Sequence, residues 1–376
     1  MRIIENIIIQ CLDKDNRLKL STEKNCEENV LVLQGGGSLG AYECGVYKAI
    51  HKLKIKLDVI AGTSIGGINS SIIAASKSND PAKDLEEFWL TLAETVTPHF
   101  LPEKLREISS SFYSAMWGNS NAFLPLWLRP SFDFTYNFPY LYDITPLKKT
   151  LEKFVDFSKL KEKSRPRLIV TSTDVQNGKP SIFDSKYDNF TSDHVLAGAG
   201  YPFYGISWTK VGNRYLWDGT LLSNTPLREV IDASPICNKK VIIVSLFPRN
   251  QEELPRSMSE SWHRARDIMH TDKTDQSVRM SKIISRYLLV IKKMHDILES
   301  AALDEKNKKK FDELESEYHK LACERGTIIK EIVRVERKEE SHYLFEDADF
   351  SVDTVKKLIQ NGERDAEKIL VDFGKN

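Results

Sequence analysis

From Val30 onward, the chain alternates short apolar runs with longer amphipathic stretches. Four apolar runs have the length and composition of buried strands, and they cover residues 30–33, 57–61, 167–173 and 240–246. The first two are followed by stretches that predict helices over 41–53 and 68–75. Buried strands that alternate with helices favour a mostly parallel sheet with helices on both faces. The pattern therefore predicts an α/β fold.

The ends of the chain have a different pattern. Residues 1–28 are a polar leader, 29–250 hold the strand–helix alternation, and 251–376 are mainly helical. Three-and-four spacing of apolar residues over 277–325 predicts a helical hairpin with its turn near 304–310. We expect this extension to pack on the core, with a membrane-resting or dimerising surface as the alternative. Residues 327–337 alternate like a strand.

The stretch 97–145 interrupts the alternation with twelve aromatic residues and several prolines in no steady period. One interpretation is an insertion that its aromatic side chains fold onto the core. The other is a lid or wall for an apolar chain, because concave binding sites are lined mainly by apolar and aromatic groups. The sequence leaves both open.

A serine in the second of two glycine-bearing turns is the candidate nucleophile. Gly62-Thr63-Ser64-Ile65-Gly66 follows a predicted strand and precedes a predicted helix. A Gly-x-Ser-x-Gly elbow in this context exposes a serine hydroxyl on a strained turn. Gly62 and Gly66 let the strand and helix approach closely. The pattern indicates nucleophilic catalysis by Ser64.

The first turn, residues 34–40, can present bare backbone N–H groups to an anion. We expect the amides of Gly35, Gly36 and Gly37 to form an oxyanion hole, with the Ile65 N–H as a further donor. A dinucleotide fingerprint would need an acidic residue about 20 residues on, where the serine elbow stands instead. A phosphate loop would need a Gly-Lys-Ser or Gly-Lys-Thr sequence, which does not follow.

The candidate base is Asp218, at the end of the strand-like run 215–218. Alone, Asp218-Gly219 would indicate only a turn. Asp174 is a rival base, although its context indicates the entry to a hairpin. His194 precedes Asp218, against the Ser, Asp, His order of α/β-hydrolase triads. His263 and His270 follow it in a charged segment.

Taken together, these residues resemble the patatin-like phospholipase family. The resemblance depends on the loop Gly35-Gly36-Gly37-x-x-Gly40, the elbow Gly62–Gly66 and Asp218-Gly219, and it covers roughly residues 28–230. It implies a three-layer αβα fold and a Ser64–Asp218 dyad without histidine, metal or cofactor. The implied substrate is a fatty-acyl ester of a lipid or phospholipid. Leu39 stands where the family commonly has Arg or Lys, a departure that bears on head-group preference.

Charge and cysteine content narrow the picture further. The 376 residues carry 54 basic and 54 acidic side chains, so no global field favours nucleic acid. Five widely spaced cysteines without a Cys-x-x-Cys pair predict neither a zinc site nor a disulfide framework, and favour a reducing compartment. We recognise no signal peptide and no membrane-spanning run. We therefore expect a cytoplasmic protein, with peripheral membrane contact left open.

The sequence supports two alternatives to a lipid acyl hydrolase. One is a catalytically inactive scaffold that binds lipid or protein through the aromatic stretch and the helical hairpin. The other is an esterase or thioesterase that acts on non-phospholipid esters, which the change at Leu39 leaves open.

Overall fold

The computed structural model describes residues 26–93, 103–129, 138–300, 305–325, 327–339 and 345–373. Most of the predicted leader lies outside these ranges, and its last residues begin the first strand. Part of the aromatic stretch also lies outside them, including Phe100, Phe132, Phe134 and Tyr136.

The described chain divides into two compact units. One comprises residues 26–29, 227–241 and 273–332, and the other comprises 30–226, 242–272 and 333–373, with the undescribed stretches excepted. Ser64, Asp218 and the glycine-rich loop all belong to the second unit.

A mixed sheet forms the centre of the fold. Its strands and those of a small separate pair are β1 (Glu27–Leu33), β2 (Val59–Thr63), β3 (Leu124–Pro125), β4 (Tyr142–Asp143), β5 (Arg167–Asp174), β6 (Pro180–Asp184), β7 (Thr209–Val211), β8 (Arg214–Asp218), β9 (Asn238–Ser245) and β10 (Ile329–Glu336). The order within the described chain is β10-β9-β1-β2-β5-β8-β7, with β6 also paired to β5. β1, β2 and β5 are parallel, whereas β6 and β8 run antiparallel to β5.

The helices connect these strands and extend the carboxyl-terminal part. They are α1 (Ala41–Lys52), α2 (Ile65–Ala74), α3 (Pro81–Ala93), α4 (Glu103–Trp117), α5 (Thr145–Phe154), α6 (Ser192–Leu196), α7 (Leu227–Ala233), α8 (Met258–His270), α9 (Thr274–Glu299), α10 (Glu305–Arg325) and α11 (Val352–Leu370). The predicted α/β class and mostly parallel sheet are confirmed. None of the described helices is both long and apolar enough to cross a membrane.

The four apolar runs become β1, β2, β5 and β9 because their side chains are buried. Val30–Leu33 are fully buried, as are Val241–Val244. Burial on both faces explains why these strands are continuously apolar rather than alternating. The second strand is displaced two residues from its predicted bounds and ends directly before Ser64.

The predicted helical hairpin forms, as α9 and α10, but its apolar positions are not in a core. Tyr287, Met294 and Leu314 are 66%, 58% and 62% exposed. Residues 305–310, expected in the turn, are instead helical, because α10 begins at Glu305. Three-and-four spacing identified the helices correctly, but it does not determine what their apolar faces contact.

A disulfide joins Cys26 to Cys237, contrary to the expectation of no disulfide. Their Cα atoms are 4.8 Å apart although 211 residues separate them in sequence. Adjacent strands β1 and β9 bring the two together, and the Asn238 amide donates to the Cys26 carbonyl at 2.8 Å. Cysteine usage therefore no longer argues for a reducing compartment.

Helix α11 packs against α1 through a pair of glycines. A Cβ at Gly362 would lie 2.1 Å from the Tyr42 carbonyl oxygen, and one at Gly45 would lie 1.9 Å from that of Ile359. The Tyr42 hydroxyl donates to Asp365 Oδ2 at 3.1 Å across the same contact. The two helix backbones therefore touch directly, and a side chain at either glycine would separate them.

We predict that Gly362→Ala lowers the free energy of unfolding by about 1–3 kcal/mol, because the added methyl overpacks backbone against backbone. Alanine would otherwise favour a helix. Gln360→Ala, at an exposed position of α11, is the matched control and should change stability by less than about 0.5 kcal/mol. Denaturant unfolding measures both. A Gly362→Ala variant as stable as the wild type would contradict the close contact.

Candidate active site

Ser64 occupies a strained turn between β2 and α2. Its backbone has φ 55° and ψ −126°, a region that non-glycine residues rarely adopt. A Cβ at Gly62 would lie 2.1 Å from the Gly66 carbonyl oxygen, and one at Gly66 would lie 2.5 Å from that of Leu33. Both glycines are therefore required for the close packing of the turn. Ser64 is partly exposed, as a nucleophile must be.

The strand register brings Asp218 to the same end of the sheet as Ser64. Within β5, Thr171 pairs with Thr63 of β2, and the next residue, Ser172, pairs with Asp218 of β8. Ser64 directly follows Thr63. The serine and the aspartate therefore lie on strands that flank β5, at nearly the same level.

Asp218 is a buried carboxyl, only 1% exposed. Its Oδ1 accepts the Thr220 amide at 2.8 Å, whereas Oδ2 accepts no hydrogen bond of standard geometry within the described residues. Burial raises the pKa of Asp218 to about 6, although hydrogen bonds with the Ser64 hydroxyl and with Thr220 act to lower it. Ser64 is thus close enough to act on this carboxyl. Hydrogen bonds of this kind are commonly long before substrate binds.

The glycine-rich loop lies directly against Ser64. A Cβ at Gly35 would be 2.9 Å from the Ser64 Cβ. The Gly35 amide, however, donates to Asn224 Oδ1 at 3.1 Å, so it is already engaged. No hydrogen bond from the amides of Gly36, Gly37 or Ile65 is found among the described residues. These three amides are the candidates for receiving a negative charge.

Sequence reasoning missed the side chains that hold this loop. The Asn224 side chain bonds both backbone groups of Gly35: Oδ1 accepts the Gly35 amide, and Nδ2 donates to the Gly35 carbonyl, each at 3.1 Å. Gln34 Nε2 donates to Thr225 Oγ1 and to the His270 carbonyl, both at 2.9 Å. Gln34 Oε1 accepts the Leu246 amide at 2.7 Å. The only sequence signal for Gln34 was its position directly before the glycine loop.

The rival bases have other roles. Asp174 Oδ1 accepts the amides of Gln176 and Asn177, as the hairpin interpretation predicts. His194 belongs to a capping box at the start of α6. His270 Nε2 lies 3.1 Å from the Tyr201 hydroxyl.

Leu39 is only 2% exposed and belongs to the hydrophobic core. The absence of a basic residue here predicts an effect on head-group preference. The burial of this side chain corrects that interpretation, because position 39 faces the core rather than a substrate.

One group in the second unit has the composition of a metal site: ligand atoms of His263, Asp267, Glu339 and Glu346 lie within 4.8 Å of one another. However, Arg266 Nη2 lies 3.0 Å from Glu346 Oε1 and 2.9 Å from His263 Nε2. A guanidinium therefore already supplies positive charge to this group.

Comparison with known proteins identifies the family of the chain. The family model described as patatin-like phospholipase matches residues 31–231. The cGAMP-activated phospholipase of Escherichia coli (strain TW11681) is 24% identical over 218 residues, which cover 52% of this chain and 53% of that protein. Lysophospholipase nte1 of Aspergillus terreus (strain NIH 2624 / FGSC A1156) is 48% identical over 44 residues, or 12% of this chain and 3% of that protein. The chain thus spans about half of the first relative and little of the second.

Solved structures give a fainter likeness. VipD from Legionella pneumophila aligns with 93% of this chain and 67% of its own, at 12% identity and a TM-score of 0.37. In the heterodimeric complex ExoU-SpcU from the type III secretion system of Pseudomonas aeruginosa, the matched chain aligns over 94% of this chain and 53% of its own. Here too the identity is 12%, and the TM-score is 0.33. The family match covers more than half of the chain and includes every element of the site. The chain belongs to the patatin-like phospholipase family.

Proposed function

We propose that the protein is a serine acyl hydrolase that cleaves fatty-acyl ester bonds of phospholipids through a Ser64–Asp218 dyad. The observation that carries this proposal is the strained turn of Ser64, next to both a buried carboxyl and a glycine loop. Such strain at an exposed hydroxyl is typical of active sites.

The reaction begins when Ser64 Oγ attacks the ester carbonyl carbon and Asp218 accepts the hydroxyl proton. The carbonyl oxygen becomes negative, and the amides of Gly36, Gly37 and Ile65 stabilise it. Each such donor is worth roughly 3–4 kcal/mol. Asp218 then protonates the leaving alcohol as the acyl-enzyme forms. Water then attacks the acyl-enzyme and gives a proton to Asp218, which passes it to Ser64 Oγ as the acyl–oxygen bond breaks and the fatty acid leaves.

The pKa of Asp218 suits this exchange. A carboxyl with a pKa of about 6 is ionised at neutral pH, yet holds a proton far better than an exposed aspartate. It can therefore accept the serine proton and return it to the leaving group.

The choice of phospholipid is supported by family membership and by the names of the two relatives, a phospholipase and a lysophospholipase. The second unit also exposes large apolar side chains, including Phe203 at 76% and Phe112 at 65%. Peripheral contact with a membrane would cover such residues.

We predict that Ser64→Ala lowers the turnover of a chromogenic fatty-acyl ester by at least about 10³-fold, and Asp218→Asn by a similar factor. Asp174→Asn, at the end of β5, is the matched control and should retain turnover within about threefold. A fluorophosphonate probe should label the wild type but not Ser64→Ala. Near-wild-type turnover in either dyad variant would refute the assigned dyad.

The substrate class needs its own comparison. Wild-type protein is given phospholipid vesicles and short-chain soluble esters, with Ser64→Ala as the blank. Release of fatty acid from vesicles supports a phospholipase. Hydrolysis of short-chain esters alone would identify an esterase, and no labelling or turnover under any condition would indicate a non-catalytic scaffold.

The raised pKa of Asp218 predicts the pH dependence of the reaction. Below pH 6 the base is increasingly protonated, so kcat/KM should fall about tenfold per pH unit. Above it, kcat/KM should be level. A profile that stays flat down to pH 4 would contradict an aspartate base with this pKa.

The same pKa predicts an effect on stability. Because burial raises the pKa of Asp218 above its ordinary value of 3.8, ionising it in the folded protein costs free energy. That cost is absent below about pH 4, develops between pH 4 and 6, and is complete above pH 6.

Asp218→Asn should therefore raise the free energy of unfolding above pH 6, by up to roughly 3 kcal/mol, and should lose this advantage below about pH 4. Denaturant unfolding at pH 8 and pH 4 provides the measurement. Asp174→Asn serves as the control because it makes the same change from carboxylate to amide at a residue whose Oδ1 accepts two backbone amides, so it should not gain stability at pH 8. A destabilised Asp218→Asn at pH 8 would count against a buried, ionised carboxylate.

A further inference from the structure

The glycine loop is supported by a distant segment, the 3-10 turn Glu346–Ala348, which we call the clamp segment. Gly37 has φ +57°, and a Cβ there would lie 2.3 Å from the Asp347 carbonyl oxygen. The Ser38 hydroxyl donates to the Glu346 carbonyl at 3.1 Å. The two backbones are thus in direct contact, beside the Gly36 and Gly37 amides.

The guanidinium of Arg266, in α8, contacts both carboxylates of the clamp segment. Arg266 Nη1 lies 3.1 Å from Asp347 Oδ1, and Nη2 lies 3.0 Å from Glu346 Oε1. Nη2 also lies 3.0 Å from Asp267 Oδ1. The planar fork of arginine can contact several carboxylates at fixed positions, which an ammonium cannot do. Arg266 therefore joins both clamp carboxylates through one side chain and helps to fix their positions.

Other groups complete this buried network. The Tyr204 hydroxyl donates to Asp347 Oδ2 at 2.6 Å. Arg337 Nη2 lies 2.9 Å from Glu346 Oε1, and its Nε donates to the Leu246 carbonyl at 2.8 Å. His263 Nε2 lies 2.8 Å from Glu339 Oε1. Cations and carboxylates alternate in this network. A connected network of this kind holds its side chains more rigidly than a single ion pair would.

Helix α8 contacts the loop from a second direction. Its last residue, His270, accepts hydrogen bonds through its carbonyl from Gln34 at 2.9 Å and from Asn224 at 2.8 Å. Arg266 lies one turn earlier on the same helix. The glycine loop is therefore attached to α8 before Gly35 through Gln34, and after Gly36 through the clamp segment.

We propose that Arg266 is a positioning residue for the oxyanion hole: it holds the clamp segment against Gly37 and Ser38, and so fixes the amides that receive the negative oxygen. The inference rests on the proposed hydrolase function. Arg266 touches no reacting atom. Its loss should misplace donors that act mainly in the transition state, so it should lower kcat and leave KM nearly unchanged.

The test compares full-length variants on a chromogenic fatty-acyl ester. Arg266→Gln should lower kcat about 100-fold with KM within about twofold, because displaced donors cost this much. Arg266→Lys keeps the charge without the fork and should recover about tenfold of the loss. The rate of fluorophosphonate labelling at Ser64 should fall in parallel with kcat.

Arg167→Gln is the matched control. Arg167 makes a partly buried bidentate pair with Asp184 at the start of β5, the end of the strand opposite the site. It should lower the melting temperature but leave kcat within about twofold. If Arg266→Gln is folded and its kcat is also within about twofold of the wild type, the positioning role is wrong.

Milder variants decide the matter if Arg266→Gln does not fold. Ser38→Ala removes the hydrogen bond from the glycine loop to the clamp segment. Tyr204→Phe removes the hydrogen bond from the Tyr204 hydroxyl to Asp347 of that segment. Each should lower kcat several-fold at unchanged KM. Two folded variants with wild-type kcat would overturn the inference. A wild-type protein that neither hydrolyses the ester nor reacts with the probe would instead refute the proposed function itself, and this role with it.

Discussion

The backbone of Ser64 can adopt its strained conformation only because two glycines let three pieces of chain meet. Gly62 packs on the Gly66 carbonyl, and Gly66 packs on the carbonyl of Leu33 at the end of β1. A positive φ at a serine costs on the order of 1–3 kcal/mol, which the surrounding packing must offset. This strained conformation makes the Ser64 hydroxyl project from the end of the sheet. In the proposed reaction, the base and the amides act only through their positions relative to this hydroxyl.

The second constraint is the burial of charge around that hydroxyl. Asp218 is held in a site that disfavours its ionised form, whereas the carboxylates near α8 are matched by Arg266 and Arg337. Burial would raise the pKa of Glu346, yet Arg337, His263 and Arg266 lower it on balance. The pKa of Asp218 is thus raised, which suits it to take a proton, whereas the pKa of Glu346 is lowered, which keeps that carboxylate ionised. Asp218 and Glu346 differ in the number of cationic side chains that lie next to them.

The sequence predicted the residues of the candidate site better than it predicted the contacts that hold them in place. Four apolar runs gave the central strands, and glycine spacing located Ser64 and the loop, because both signals are local. Asp218 needed family resemblance, since Asp-Gly alone indicates a turn. The contact of Arg266 with Glu346 and that of Asn224 with Gly35 could not be predicted, because they join residues 80 and 189 positions apart. The Cys26–Cys237 disulfide was missed for the same reason. The exposed apolar side chains of α9 and α10 show that apolar spacing predicts a helix but does not predict the surface against which the helix packs.

The most direct test of the account is a crystal structure of the full-length protein after reaction with a fluorophosphonate. We expect phosphorus bonded to Ser64 Oγ, with the phosphonyl oxygen roughly 2.7–3.1 Å from amides of Gly36, Gly37 or Ile65. The carboxylate of Asp218 should be the nearest base to Ser64 Oγ. A phosphonyl oxygen that points away from the glycine loop, or an adduct on another residue, would contradict it.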